Sequence, residues 1–236
     1  MNFLLPLIVS FISLTITVEA ESIGKRTCRI IFPERPKNAT KIAHLFDGKK
    51  SHQVFLPSRN FSPIIELPEG ELNILMTPNA ITDLKNLPPE APSLKIPKNV
   101  MDFYILVTSD PENSVLPLQM EIIRLSDGEL TAGETLWINH TDHQIKVKLG
   151  ESKILITPRG QQASKSPIST SGYYRAEFSY KKNAIGDFKK ITEQSWWHDM
   201  KSRHLGFIVN KGEQLPSIFL YRDFRTQIAT TKEKQE

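Results

Sequence analysis

Cysteine is almost missing from this chain. Cys28 stands alone, so no intrachain disulfide can form and stability has to come from packing. Lys25, Arg26 and Thr27 precede it where a lipid-attachment box would carry small and apolar residues, and we read it as a half-buried strand thiol. Catalytic signatures are missing too: no G-x-S-x-G, H-E-x-x-H, phosphate-binding glycine loop or dinucleotide fingerprint occurs. Catalytic groups can still converge from distant segments, so the lack of motifs lowers the expectation of an enzyme without removing it. Concentrated positive charge is lacking as well. The lysines are scattered as single residues and pairs such as Lys49-Lys50 and Lys181-Lys182, a pattern that fits solvated strand faces and argues against nucleic acid as a partner.

Long apolar runs are absent except at the N-terminus, where Phe3 to Leu14 forms an export-type h-region ahead of Val18-Glu19-Ala20. Residues 1–20 are therefore expected to be a signal peptide, cleaved to leave Glu21 first, although no Lys or Arg lies in its n-region. The rival reading, a membrane anchor, needs about 20 mainly apolar residues. Ser10, Ser13, Thr15 and Thr17 interrupt this run, and no membrane span is expected once it is removed. Cleavage takes Glu19 from the 26 acidic residues and none of the 30 basic ones, leaving a mature chain of net charge near +5.

What is present is period-two alternation. Tyr174, Ala176, Phe178 and Tyr180 fall on one face against Arg175, Glu177 and Ser179 on the other. Leu116, Leu118, Met120 and Ile122 alternate with Gln119 and Glu121, and Ile145, Val147 and Leu149 with Lys146 and Lys148. Further strands are expected at 28–32, 41–46, 52–56, 71–76, 103–108, 134–139, 153–157, 203–209 and 217–222. The connections are short and turn-rich, which favours antiparallel hairpins. The fold class is thus all-β: an antiparallel β-sandwich, internally duplicated, with at most two short helices, at Ala80 to Leu87 and Asp187 to Gln194.

The duplication is read from an offset of 80 residues. Laying 42–78 on 122–158 makes 12 of 37 positions identical, including Asp47-Gly48 with Asp127-Gly128 and Thr77-Pro78 with Thr157-Pro158. A weaker echo relates Tyr104–Asp127 to Leu205–Asp223. On this basis the mature chain divides into a first β unit, 21–97, ending in a proline-rich linker from Pro78 to Pro97, and a larger unit, 98–226. The larger unit holds an unduplicated segment, 159–203, and residues 227–236 form a charged, disordered tail.

Features found in only one copy are the better functional candidates, because shared Asp-Gly and Thr-Pro pairs have structural reasons enough. The unduplicated segment carries Trp196 and Trp197. Adjacent strand residues face opposite ways, so one indole can be core and the other a ligand platform beside Tyr173. His198, Asp199 and His204 offer an alternative acid–base or metal site, and His140, Asp142 and His143 sit in a turn, but neither spacing matches a metal motif. No metal or cofactor is expected. Sequons occur at Asn38, Asn60 and Asn139.

The export signal, the L-x-D-G turns, the G-E-x-x-I-L-[IM]-T-P strands and the G-E-T-L-W-I-N segment together resemble exported β-sandwich proteins of Gram-negative bacteria. The resemblance implies a periplasmic or extracellular location and supplies neither an activity nor site residues. The expected function is a non-catalytic binding or envelope-associated module whose partner is an envelope component, glycan or protein. The alternative is an envelope hydrolase or metal-dependent enzyme using the His198, Asp199 and His204 region.

Overall fold

The computed structural model describes residues 25–125, 130–182, 186–210 and 215–224. The expected signal segment, the Asp127-Gly128 turn and the expected C-terminal tail lie outside the described residues. Eight strands come first: β1 (Thr27–Ile31), β2 (Ile42–Phe46), β3 (Ser51–Phe55), β4 (Ile65–Glu66), β5 (Leu72–Thr77), β6 (Ser93–Ile96), β7 (Asp102–Ser109) and β8 (Leu118–Arg124). Eight more follow: β9 (Thr135–Asn139), β10 (Gln144–Leu149), β11 (Ser152–Ile156), β12 (Gln161–Ser164), β13 (Gly172–Lys181), β14 (Lys189–His198), β15 (Arg203–Val209) and β16 (Ser217–Asp223).

There is no helix among the described residues, so neither helical expectation holds. Ala80 to Leu87 is loop, bounded by Pro78 and by Pro88-Pro89. Asp187 to Gln194 runs into β14, where pairing with β13 from His198 to Lys189 outweighs its weak helical tendency.

The strands build two β-sandwiches with the same topology. The first has sheets ordered β4-β1-β7-β8 and β3-β2-β5-β6, and the second β12-β9-β15-β16 and β11-β10-β13-β14. Each strand of the first therefore has a counterpart eight places later. Pairing is antiparallel except for β1 with β7 and β9 with β15, which are parallel and again equivalent.

This order corrects three expectations. β7 and β8, grouped by sequence with the second unit, hydrogen-bond into the sheet of β1, so the first sandwich runs past position 97 to Arg124. The offset of 80 sets β5 beside β11, strands at different sheet positions, whereas the topological repeat aligns β7 with β15 and β8 with β16, as in the weaker echo. Finally, the segment 159–203 has counterparts: β12, β13 and β14 stand where β4, β5 and β6 do. What distinguishes the second copy is length, since β13 and β14 have ten residues each against six and four. The shared turn is also elsewhere. Gly48, at φ 91°, closes β2 to β3, and Gly150, at φ 58°, closes β10 to β11.

Three strands lack alternation because both of their faces are covered. Phe103, Ile105 and Val107 of β7 point into the first sandwich with Cys28 and Ile30, while Tyr104 and Leu106 point outward. There they join Leu136 and Ile138 of β9 and Leu205 and Phe207 of β15 in one apolar cluster between the sandwiches. Cys28 is fully buried, deeper than its half-buried expectation. Each large side chain in the shared cluster gains about 1.5–3 kcal/mol over exposure, so separating the sandwiches is costly.

A polar network crosses the same junction. Asp223 of the second sandwich is buried and accepts hydrogen bonds from Arg29 and Tyr104 of the first and from Arg203 of its own. Arg203 also donates to Asp102 at 2.8 Å.

Candidate functional site

The long β13–β14 hairpin presents its aromatics in two directions. In its register Tyr173 pairs with Trp197 and Tyr174 with Trp196. Pleating sends the second pair into the sandwich, where Trp196 stacks on Trp137 at a ring separation of 6.2 Å and packs on Phe178 at 5.1 Å. The first pair faces out. Tyr173 is 71% and Trp197 40% exposed, with rings edge-to-face at 5.1 Å.

Trp197 borders a cleft of about 720 Å³ that opens between β14, β16 and the Arg59–Phe61 loop of the first sandwich. The lining includes Arg29, Arg59, Phe61, Tyr221 and Arg222. Arg29 is committed: beyond Asp223, it donates to the Ser62 carbonyl at 2.7 Å and lies over the Phe61 ring at 5.4 Å. Arg222 is exposed and donates to the Trp197 carbonyl at 3.2 Å. Arg59 is exposed and makes no ion pair among the described residues. Burial pushes the Tyr221 phenol up to about 12, so it keeps its proton and donates toward the Ser58 carbonyl.

His198 and His204 do come together, with rings 5.4 Å apart, but inside the protein. They are 2% and 1% exposed. His198 Nε2 lies 2.7 Å from Ser166 Oγ, and His204 Nε2 lies 3.2 Å from Ser202 Oγ. Burial lowers both imidazoles, His204 to about 4, which leaves them neutral. Asp199 stays apart from the pair in hydrogen bonding, its carboxylate capping the Lys201 N–H at 2.9 Å. Neither ring faces solvent. No group of three or more potential ligands that could hold a metal occurs among the described residues.

The turn at 139–143 is explained by its own hydrogen bonds. Asn139 donates to the carbonyls of His143 and Thr157 at 2.7 and 2.8 Å and accepts from Thr141. Asn139 is buried, so its sequon is part of the framework, whereas Asn38 and Asn60 are exposed. Asp142 pairs with Arg159 at 2.8 Å on the surface.

Of the sequence candidates, then, Trp197 and Tyr173 form the exposed pair, Trp196 is half-buried against the core and lines the cleft, and the histidines are enclosed. Arg29, Arg59, Phe61, Tyr221 and Arg222 were not legible as site residues, because three separated segments bring them together. The chain matches no family model and no curated protein.

Proposed function

We propose that this protein is an exported, non-catalytic binding module of the cell envelope, with its ligand docking at the Trp197 end of the second sandwich. The observation that carries this reading is the split of the adjacent tryptophans: Trp196 is half-buried, packing on Trp137 and Phe178 at the wall of the cleft, and Trp197 is held out beside Tyr173 at its mouth. A rigid indole next to a phenol suits stacking on a sugar ring or on the apolar surface of a protein partner. The N-terminal apolar run supports export, and the periplasm or extracellular space is where such a ligand would be met.

Replacement of Trp197 by Ala should weaken binding on a glycan array or to isolated envelope fractions while leaving the thermal midpoint little changed. Replacement of Trp196 by Ala should do the reverse at the level of folding, costing roughly 3–5 kcal/mol. If Trp197→Ala binds every ligand as well as the parent protein, the platform reading fails.

A further inference from the structure

The two sandwiches share a topology, so the first serves as an internal control for the second. At the edge of the first, β6 and β8 approach each other and close the sandwich. The equivalent strands of the second, β14 and β16, do not close in the same way, and the opening between them is the cleft. Its lining differs from a core left exposed. Arginines from three segments border it, Arg29 on β1, Arg59 on the loop after β3 and Arg222 on β16.

Charge within the cleft is unbalanced. Asp223, which follows Arg222 in sequence and binds Arg29, is already shared among Arg29, Tyr104 and Arg203. Arg59 and Arg222 therefore reach solvent without a carboxylate partner among the described residues. A planar guanidinium binds a carboxylate or sulfate through paired hydrogen bonds, geometry that a lysine ammonium cannot offer. Trp197 borders the same cleft.

We propose that the cleft binds an acidic saccharide, with Arg59 and Arg222 engaging a carboxylate or sulfate and Trp197 stacking on a sugar ring. The proposal rests on the reading of Trp197 as a ligand platform and adds the charge of the ligand. An extended peptide adding to the β14 edge fits less well. Arg222 already occupies the Trp197 carbonyl, and Lys189 and Lys190 charge the other end of the strand.

The test is calorimetric titration of the mature protein with oligogalacturonate, sulfated dextran oligosaccharide, neutral malto-oligosaccharide and poly-glutamate. An acidic sugar should bind at least tenfold more tightly than the neutral one and weaken with added salt. Arg59→Ala and Arg222→Ala should each lower its affinity roughly tenfold, with unchanged thermal midpoints, and Arg59→Lys should recover part of the loss. Preference for the carboxylated or for the sulfated sugar identifies the anion. Equal affinity for the neutral sugar, indifference to both arginine replacements, or poly-glutamate binding as tight as the acidic sugar would overturn the proposal. A neutral sugar lost with Trp197→Ala but untouched by the arginine replacements would keep the platform and reject the acidic ligand. Acidic-sugar binding indifferent to Trp197→Ala would reject the platform on which the proposal stands.

Discussion

Gly206 is seated against the indole of Trp137, so closely that a β-carbon at position 206 would stand 2.2 Å from Trp137 Cε3. The two residues are partners in the parallel register of β9 with β15. At the equivalent place in the first sandwich, β1 and β7 set Ile30 beside Ile105. The same volume is thus filled by two medium side chains in one copy and by one large and one absent side chain in the other.

Replacement of Gly206 by Ala should therefore destabilise the protein by about 1–3 kcal/mol or more, the cost of overpacking. Trp137→Ala should cost roughly 3–5 kcal/mol through the cavity it opens. Installing the first copy's solution, Trp137→Ile with Gly206→Ile, should cost less than the sum of the two single changes. Urea unfolding of the four proteins measures this coupling, and strict additivity would show that the positions are independent.

Asp223 holds the two sandwiches through charge. Its removal in Asp223→Ala leaves the Arg29 and Arg203 guanidiniums, both largely buried, sharing a junction without that carboxylate. Breaking a buried pair from one side costs roughly 3–5 kcal/mol. Urea unfolding should show a loss of that size, and amide hydrogen exchange should rise first in β1 and β16, which face the junction. Unchanged exchange there would mean that the apolar cluster alone holds the sandwiches together.

Period-two alternation made Tyr174 to Tyr180 and Leu116 to Ile122 readable as strands because each has one wet face. Phe103 to Val107 was readable as a strand by its apolar continuity, but nothing local says that a second sandwich covers its outer side. The repeat was harder to place. Identities at an offset of 80 come from turn residues such as Thr-Pro and from Ile and Leu at alternating apolar positions, both of which recur in any β sequence. The true correspondence preserves sheet position and lets residues change, as Ile30 with Ile105 becomes Trp137 with Gly206. Trp197 was visible as a candidate because it has an opposite-facing neighbour, and the arginines were not, because their meeting depends on how the sandwiches pack.

Processing is the simplest expectation to check. If 1–20 is an export signal, the intact mass of protein recovered from the exported fraction should correspond to a chain beginning at Glu21, and it should stay soluble on fractionation. A mass that retains Met1 to Ala20, together with membrane association, would favour an anchor.

The buried histidines give stability a definite dependence on pH. Burial, and then the neighbouring His198, hold His204 down to about 4, partly offset by its backbone hydrogen bond with Glu134 and by Asp199. In the unfolded chain the same imidazole titrates near 6.5. As pH falls below that value the unfolded state takes up a proton that the folded state refuses. The contribution is therefore complete above about pH 6.5, is lost as pH falls toward 4, and changes no further once both states are protonated. A shift of this size corresponds to ~3 kcal/mol for His204. His198 and His140, lowered by burial too, act in the same direction. Replacing His204 by Gln leaves those two in place, so urea midpoints at pH 7.5, 5.5 and 4.5 should fall more steeply for the parent protein than for His204→Gln. The two curves should run parallel above pH 7, where every one of these rings is neutral in both states. Equal slopes between pH 6.5 and 4 would show that the His204 ring gains a proton in the folded protein as easily as in the unfolded chain.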